Sequence, residues 1–325
     1  MIMVTGGAGF IGSVLHAELA ARGRETVVVD WLGDGQKWRN LAAHPPARLI
    51  RPEVLEGFLA ARPPLEAIFH MGAISDTMAR DADQIWEANV ALSSRLWDWC
   101  ARHRRPLIWA SSAATYGAGE RGFVDDDSDA ALDSLRPLNL YGWSKHAFDR
   151  WALEQARKGF APPQWAGLKF FNVYGPNEAH KGDMRSLVAK NTRLVAQGLA
   201  LRLFKSHKAG IADGEQARDF VYVKDCAAVV SWLLANPEVS GLFNLGTGAA
   251  RSFKDLMLAI GKALDKRVAF DFVDTPPSIR EQYQYFTQAE MGKLRRAGYR
   301  APFHSIEDGV RDYVQAYLTQ ADPFR

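Results

Sequence analysis

Tyr141 and Lys145 stand four residues apart in Tyr141-Gly142-Trp143-Ser144-Lys145. That spacing puts both side chains on one face of a helix. A lysine ammonium beside a phenol favours tyrosinate and lowers the tyrosine pKa toward neutrality, so the two together can move a proton. The spacing alone is common, and a surface pair satisfies it equally well. Upstream, an apolar run ends in Ser111-Ser112-Ala113-Ala114-Thr115-Tyr116-Gly117. The carboxyl end of a strand is where open α/β sheets bind ligands. Ser112 there either caps the following turn or orients a substrate oxygen beside the tyrosine.

A second constellation opens the chain. Met3-Val4-Thr5-Gly6-Gly7-Ala8-Gly9-Phe10-Ile11-Gly12 reads as strand, tight turn and helix. Gly6 lets the chain turn, Gly9 lets backbone approach a pyrophosphate, and Gly12 lets the helix pack closely on the strand. Phe10 and Ile11 begin that helix, whose bare N–H groups face the anion. The next apolar run, Thr26–Val29, ends in Asp30, 18 residues after Gly12. An acidic side chain there accepts hydrogen bonds from an adenosine ribose. The order strand, glycines, helix, strand, acid points to a dinucleotide, and Lys145 can then also hold its nicotinamide ribose. Asp30 alone favours NAD, because a carboxylate repels a 2′-phosphate. Lys37 and Arg39 follow in the same loop and can neutralise one.

These residues need a scaffold, and the chain alternates short apolar strands with longer helical patterns. Strands are expected at Ile2–Thr5, Thr26–Val29, Ala67–His70, Leu107–Ser111 and Trp165–Phe171, and helices at Ile11–Arg22, Asp83–Arg102 and Tyr141–Lys158. Such alternation argues for a parallel sheet with helices on both faces. After Pro176 loops lengthen, and Phe220–Val223 and Leu242–Leu245 suggest a smaller α/β lobe with crossovers back to the sheet. Trp97 and Trp99, with Leu92 and Leu96, read as core or subunit packing.

Composition narrows the classes. With 325 residues, 47% hydrophobic and 24% charged, the chain can bury a large core in two lobes. A net charge of +3 names no nucleic-acid partner, and Arg102-His103-Arg104-Arg105 reads as the solvated end of a helix. Asp125-Asp126-Asp127-Ser128-Asp129 reads as a solvated loop, and consecutive carboxylates do not make a metal site. Cys100 and Cys226 sit among apolar neighbours, as core thiols of a reducing cytoplasm do. No apolar stretch has membrane-spanning length, and a strand at the N-terminus leaves no signal peptide.

Taken together, Thr5–Gly12, His70-Met71-Gly72-Ala73, Asn89, Ser111–Gly117 and Tyr141–Lys145 resemble the extended short-chain dehydrogenase/reductases, which act on nucleotide sugars. Phe171-Asn172-Val173-Tyr174-Gly175-Pro176, Arg218–Val223 and Phe243–Gly248 extend the resemblance over nearly the whole chain. It implies a Rossmann-type, doubly wound parallel sheet with a smaller α/β substrate-binding domain. Residues 1–171 and 219–240 would bind the dinucleotide, and 172–218 and 241–325 the nucleotide sugar. The 4,6-dehydratases of the family place an Asp-Glu pair where this chain has Ala113 and Ala114, which leaves epimerases and reductases.

Asp30–Lys37, Glu178-Ala179-His180-Lys181-Gly182 and Tyr285–Ala289 resemble the ADP-heptose 6-epimerase branch, which serves the lipopolysaccharide inner core. That resemblance implies transient oxidation at C6″ of an ADP-sugar, with hydride return to the opposite face. It makes Tyr141 and Lys181 the two proton handlers, with Lys145 tuning Tyr141 and Ser112 anchoring the sugar. It implies NADP, with NAD the alternative, held by Gly6, Gly9, Phe10, Ile11, Gly12, Asp30, Trp31, Lys37, Gly72, Ala73, Asn89, Lys145 and His180. The substrate would meet Ser112, Asn172, Asp183, Lys190, Phe204, Lys205, Ser206, Arg218 and Tyr283. A cytoplasmic homo-oligomer, a pentamer by resemblance, is expected. Three departures stand out. Trp31 replaces the usual Asn and can stack on adenine, Lys190 replaces His, and 207–216 looks like an insertion. A UDP-hexose 4-epimerase and an NADPH-consuming reductase are the rival enzymes. A dinucleotide-sensing protein would have no use for Ser112, Tyr141 and Lys145 together.

Overall fold

The computed structural model describes residues 1–276, 280 and 284–325. In chain order its strands are β1 (Ile2–Thr5), β2 (Thr26–Val29), β3 (Arg48–Ile50), β4 (Ala67–His70), β5 (Leu107–Ser112), β6 (Trp165–Phe170), β7 (Asn172–Tyr174), β8 (Leu201–Phe204), β9 (Ala217–Tyr222), β10 (Gly241–Leu245), β11 (Ala250–Ser252) and β12 (Phe270–Val273). Helices that bear on the site are α1 (Phe10–Ala21), α2 (Leu55–Ala60), α3 (Ala82–Trp86), α4 (Leu92–His103), α5 (Asp129–Ser134), α6 (Leu140–Arg157), α7 (Leu187–Ala196), α8 (Val223–Ala235) and α9 (Phe253–Leu264).

Among the described residues seven strands run parallel in the order β10-β6-β5-β4-β1-β2-β3. A fully parallel sheet is covered on both faces, so its central strands are apolar throughout rather than alternating. Ile2, Met3 and Val4 of β1 and Ile68 and Phe69 of β4 are completely buried. The winding reverses between β1 and β4, which opens a crevice at the carboxyl ends of those strands. The fold is the doubly wound α/β architecture expected from the alternating pattern.

Outside this sheet, β9 lies between β7 (parallel) and β11 (antiparallel), and β8 pairs in parallel with β12. Strand pairing does not follow the expected division of the chain segment by segment. Gly241–Leu245, assigned above to the sugar-binding part, pairs with β6 at the edge of the main sheet. The expected boundary at 218/219 falls inside the continuous strand β9. The apolar pattern of Leu242–Leu245 suits either sheet, and only the pairing decides.

Trp97 and Leu96 are fully buried, and Trp97 packs against Trp109 and Trp165 at centroid distances of 6.0 and 5.7 Å. This aromatic cluster clamps α4 to β5 and β6. Cys100 and Cys226 are both buried thiols. The basic run ends α4, with Arg104 in the left-handed conformation just after it. The acidic run departs from expectation at Asp125. Its carboxylate is buried and accepts the Asn244 backbone N–H at 2.8 Å, whereas Asp127 pairs with Lys293. Strand β3 is short and largely exposed, so it lacks the apolar signature of its neighbours. Among the described residues no helix is long and apolar enough to cross a membrane.

Candidate active site

The glycine turn between β1 and α1 is built for close approach. Gly6 has φ +65°, and a Cβ on it would lie 2.5 Å from Gly72 Cα. A Cβ on Gly12 would lie 2.2 Å from the Gly6 carbonyl oxygen. Gly9 is the N-cap of α1 and supplies no side-chain cap, so helix N–H groups remain to meet an anion. Asp30, at the end of β2, is nearly buried. It accepts the Ala8 N–H at 2.9 Å, the Trp31 N–H at 2.8 Å and the Lys37 ammonium at 2.6 Å. Trp31 is 53% exposed, and its indole N–H donates to Glu53 at 2.8 Å. Arg39, expected beside Lys37, instead pairs with Asp322 at 3.1 Å and lies over the Phe324 ring.

The cradle is the floor of a cleft of about 1110 Å³. Gly72, Ala73, Tyr141, Lys145, Ser112, His180 and Lys181 all line it, together with Asp30, Trp31 and Lys37. Asn139 caps α6 by accepting the Gly142 N–H at 2.8 Å, which starts the helix where Tyr141 and Lys145 face the cleft. Ser112 ends β5 at the wall of the same cleft. It accepts the Ala114 N–H at 3.1 Å, capping the turn, and its hydroxyl acts on Tyr141 to favour tyrosinate.

Burial sets the proton affinities. It pushes the Lys145 ammonium down to about 8, and Asp149 partly opposes that fall. The Tyr141 hydroxyl goes up rather than down, because burial outweighs the lowering hydrogen bond from Ser112. The expected lowering of Tyr141 by Lys145 is therefore not the net outcome in this cleft. Lys181 is lowered by burial and held back by Glu178, and its ammonium lies 5.3 Å from the Phe10 ring centre. His180 is brought down to about 4 by burial and stays neutral.

The other expected contacts divide between the cleft and its surroundings. Asn89 is behind the wall. Its side chain clasps Ile74 N–H at 2.9 Å and Ile74 C=O at 3.0 Å, and donates to Ser144 at 3.0 Å. Asn172, on β7, lines the cleft. Asp183, Lys190, Phe204, Lys205 and Ser206 do not. Lys205 pairs with Asp274 at 3.4 Å, and the Ser206 N–H donates to Asp213 at 2.7 Å. Arg218 is buried one layer back, over the Phe253 ring that lines the cleft, and bonds the carbonyls of Ala217 and Gln284. Tyr283 lies outside the described residues.

A family model described as the NAD dependent epimerase/dehydratase family matches residues 2–246. The chain belongs to that family. An ADP-L-glycero-D-manno-heptose-6-epimerase of Nitratidesulfovibrio vulgaris (strain DP4) is 47% identical over 330 residues, covering 100% of both chains. The crystal structure of the Helicobacter pylori ADP-L-glycero-D-manno-heptose-6-epimerase superposes with a TM-score of 0.78 at 25% identity, covering 97% of this chain and 95% of that one. A Thermus thermophilus UDP-glucose 4-epimerase in complex with NAD gives 0.72 at 27% identity, over 95% and 96%.

This family member carries site residues that sequence reasoning passes over. Asn40 is buried and donates to Ala8 C=O at 2.9 Å and Asn177 C=O at 3.1 Å, tying the cradle to the segment that bears His180 and Lys181. Nothing in the local pattern marks it. Glu178 is buried beside Lys181 and accepts the Ser186 hydroxyl at 2.6 Å. His70 is sealed between Thr5 at 2.6 Å and Ser93 at 2.8 Å, and burial brings it down to about 3. Lys169 interrupts the apolar run Trp165–Phe170, a visible signal for a buried charge.

Proposed function

We propose that this enzyme is an epimerase that inverts C6″ of ADP-D-glycero-D-manno-heptose to give ADP-L-glycero-D-manno-heptose, using bound NADP. The shared name of full-length relatives supports the substrate. One observation of the site supports the chemistry: Tyr141 with Ser112, and Lys181 on a separate element, open onto the same cleft as the dinucleotide cradle. The cradle fits a dinucleotide, since side chains at Gly6 or Gly12 would collide with backbone and Asp30 stands at the ribose position.

An unactivated carbinol carbon cannot be inverted by deprotonation alone. A nicotinamide held by the glycine turn and Asp30 would supply reversible hydride exchange with C6″ at either face, with no net redox. The chain's residues manage protons and position. Tyr141, oriented by Ser112, exchanges the proton of one epimer's hydroxyl, and Lys181 serves the other. The Lys145 ammonium would hold the nicotinamide ribose, and it favours tyrosinate when the proton leaves Tyr141. Lys37, already on Asp30, offsets that carboxylate beside a 2′-phosphate, which is why NADP is favoured over NAD. Asn172 contacts the sugar or its pyrophosphate. Arg218 and the Phe204–Ser206 segment, which stand outside the cleft wall, are the candidates for contact with the ADP, and the working form is a homo-oligomer.

Incubation with ADP-D-glycero-D-manno-heptose, read by NMR at C6″, tests this. Conversion without deuterium uptake at C6″ in heavy water is expected. Solvent label at that carbon, or turnover of UDP-hexoses in preference, would overturn the proposal. Extraction of the bound cofactor decides between NADP and NAD.

A further inference from the structure

Behind the cleft lies a buried ion pair that this mechanism leaves unused. Asp149 Oδ2 is 2.7 Å from Lys169 Nζ, with side-chain exposures of 0% and 1%. Burying two charges is costly, and well-packed apolar residues of similar volume often serve stability as well or better. What the pair touches suggests another role.

Asp149 sits on α6 four residues beyond Lys145, which is four beyond Tyr141, so all three share one helix face. Its carboxylate accepts the Trp109 indole N–H at 3.1 Å and the Ser111 hydroxyl at 2.6 Å, both from β5. Lys169, on β6, also donates to Thr115 Oγ1 at 2.9 Å. Thr115 in turn donates to the Ser112 carbonyl at 2.9 Å. A run of buried hydrogen bonds therefore joins the helix of Tyr141 to the turn of Ser112, and Ser112 and Tyr141 both face the cleft. Near Lys145 stand neutral His70 on β4, and Tyr141 and Asp149 on its own helix, with Lys169 on β6 beyond Asp149. His146, the next residue on α6, is kept neutral by burial. Asp149 is the carboxylate that supports the Lys145 proton.

We propose that Asp149 and Lys169 are positioning residues that hold Ser112 against Tyr141 and supply the counter-charge for the Lys145 ammonium. The proposal rests on the proton-handling roles given to Tyr141 and Lys145 above. A misplacement at this site is worth roughly 10- to 100-fold in rate.

The test uses two neutral pairs, Asp149→Asn with Lys169→Gln and Asp149→Asn with Lys169→Met, which remove both charges without stranding one. The expected result is a folded protein whose kcat falls roughly 10- to 100-fold with KM little changed. The alkaline limb of its kcat profile moves down by about one pH unit. Lys169→Arg, which keeps the charge, is expected to leave that limb at the wild-type position. An unmoved limb in the neutral pairs overturns the proposal, whatever happens to thermal stability. Failure of both neutral pairs to fold also overturns it, since the pair is then scaffold. Tyr141→Phe is measured alongside. Full activity there would end the catalytic reading itself, whereas its loss with an unmoved limb in the pairs removes only the positioning role.

Discussion

The Lys37 ammonium lies 2.6 Å from Asp30 Oδ1, and Lys37 also donates to the Trp31 carbonyl at 2.8 Å. A carboxylate at the end of β2 repels a 2′-phosphate. Here one positive charge is already in place to offset it, while Arg39 is committed to Asp322 and Phe324. Lys37→Met is expected to weaken NADP relative to NAD by about tenfold or more, or ~1.4 kcal/mol. Titration of cofactor-free protein with each dinucleotide measures the ratio. An unchanged ratio would remove Lys37 from phosphate recognition.

Tyr141 and Lys181 reach the cleft from α6 and from the turn Ala179–Met184. If each handles the hydroxyl of one epimer, either substitution alone is crippling. Tyr141→Phe and Lys181→Met should each lower kcat by about 10²- to 10⁴-fold, the usual weight of a positioned proton donor or acceptor. The double variant should lose epimerisation and still carry its dinucleotide, because neither side chain builds the glycine cradle. NMR turnover and the absorbance of released cofactor give the two readings. Full activity in the double variant would sink the two-base scheme.

Much of this site is legible in the sequence because its parts are local. Glycine spacing, the acid that ends β2, and the Tyr141/Lys145 interval each encode geometry within a few residues. Residues that act across the fold are harder to read. Asn40 joins segments more than a hundred residues apart, and nothing near it shows that. The reversal of the Tyr141 shift has a similar origin, since burial depends on walls contributed by distant strands. Asn89 matches a motif, yet its amide is consumed by Ile74 and Ser144 rather than facing the cleft. The place of β10 is hidden for the same reason: it carries an apolar pattern that names no partner, and only pairing with β6 assigns it to the main sheet.

Lys145 gives a prediction in which activity and stability move oppositely. Burial lowers it to about 8 from the usual 10.5. Between those values the unfolded chain binds more protons than the folded one, so the stability owed to this site rises with pH. Below about pH 8 the cost of the buried ammonium is fully present. Lys145→Met is therefore expected to be more stable than wild type at pH 7, on the order of 3 kcal/mol, with the gap closing by pH 10.5. Over the same interval wild-type kcat should fall as the ammonium is lost. Urea unfolding at both pH values, beside a pH–rate profile, checks the pair of trends. A wild-type protein more stable than Lys145→Met at pH 7 would contradict a strained buried charge.

Glu178 is the carboxylate that braces Lys181. Its oxygens accept the Ser186 hydroxyl at 2.6 Å and the Ser186 N–H, and the Tyr313 hydroxyl stands near enough to favour the carboxylate. Ser186 is the N-cap of α7, so one buried group links the Lys181 turn, α7 and the helix Ile306–Tyr313. Glu178→Gln places an amide N–H where an acceptor is needed, which costs about 1–3 kcal/mol. It also removes the charge that supports the Lys181 proton, so Lys181 titrates at a lower pH. A base that works when neutral then stays active to lower pH, and the acid limb of kcat should move down. The thermal midpoint should fall in the same variant. A lower midpoint with an unmoved acid limb would mean that Glu178 holds the turn in place without acting on the proton affinity of Lys181.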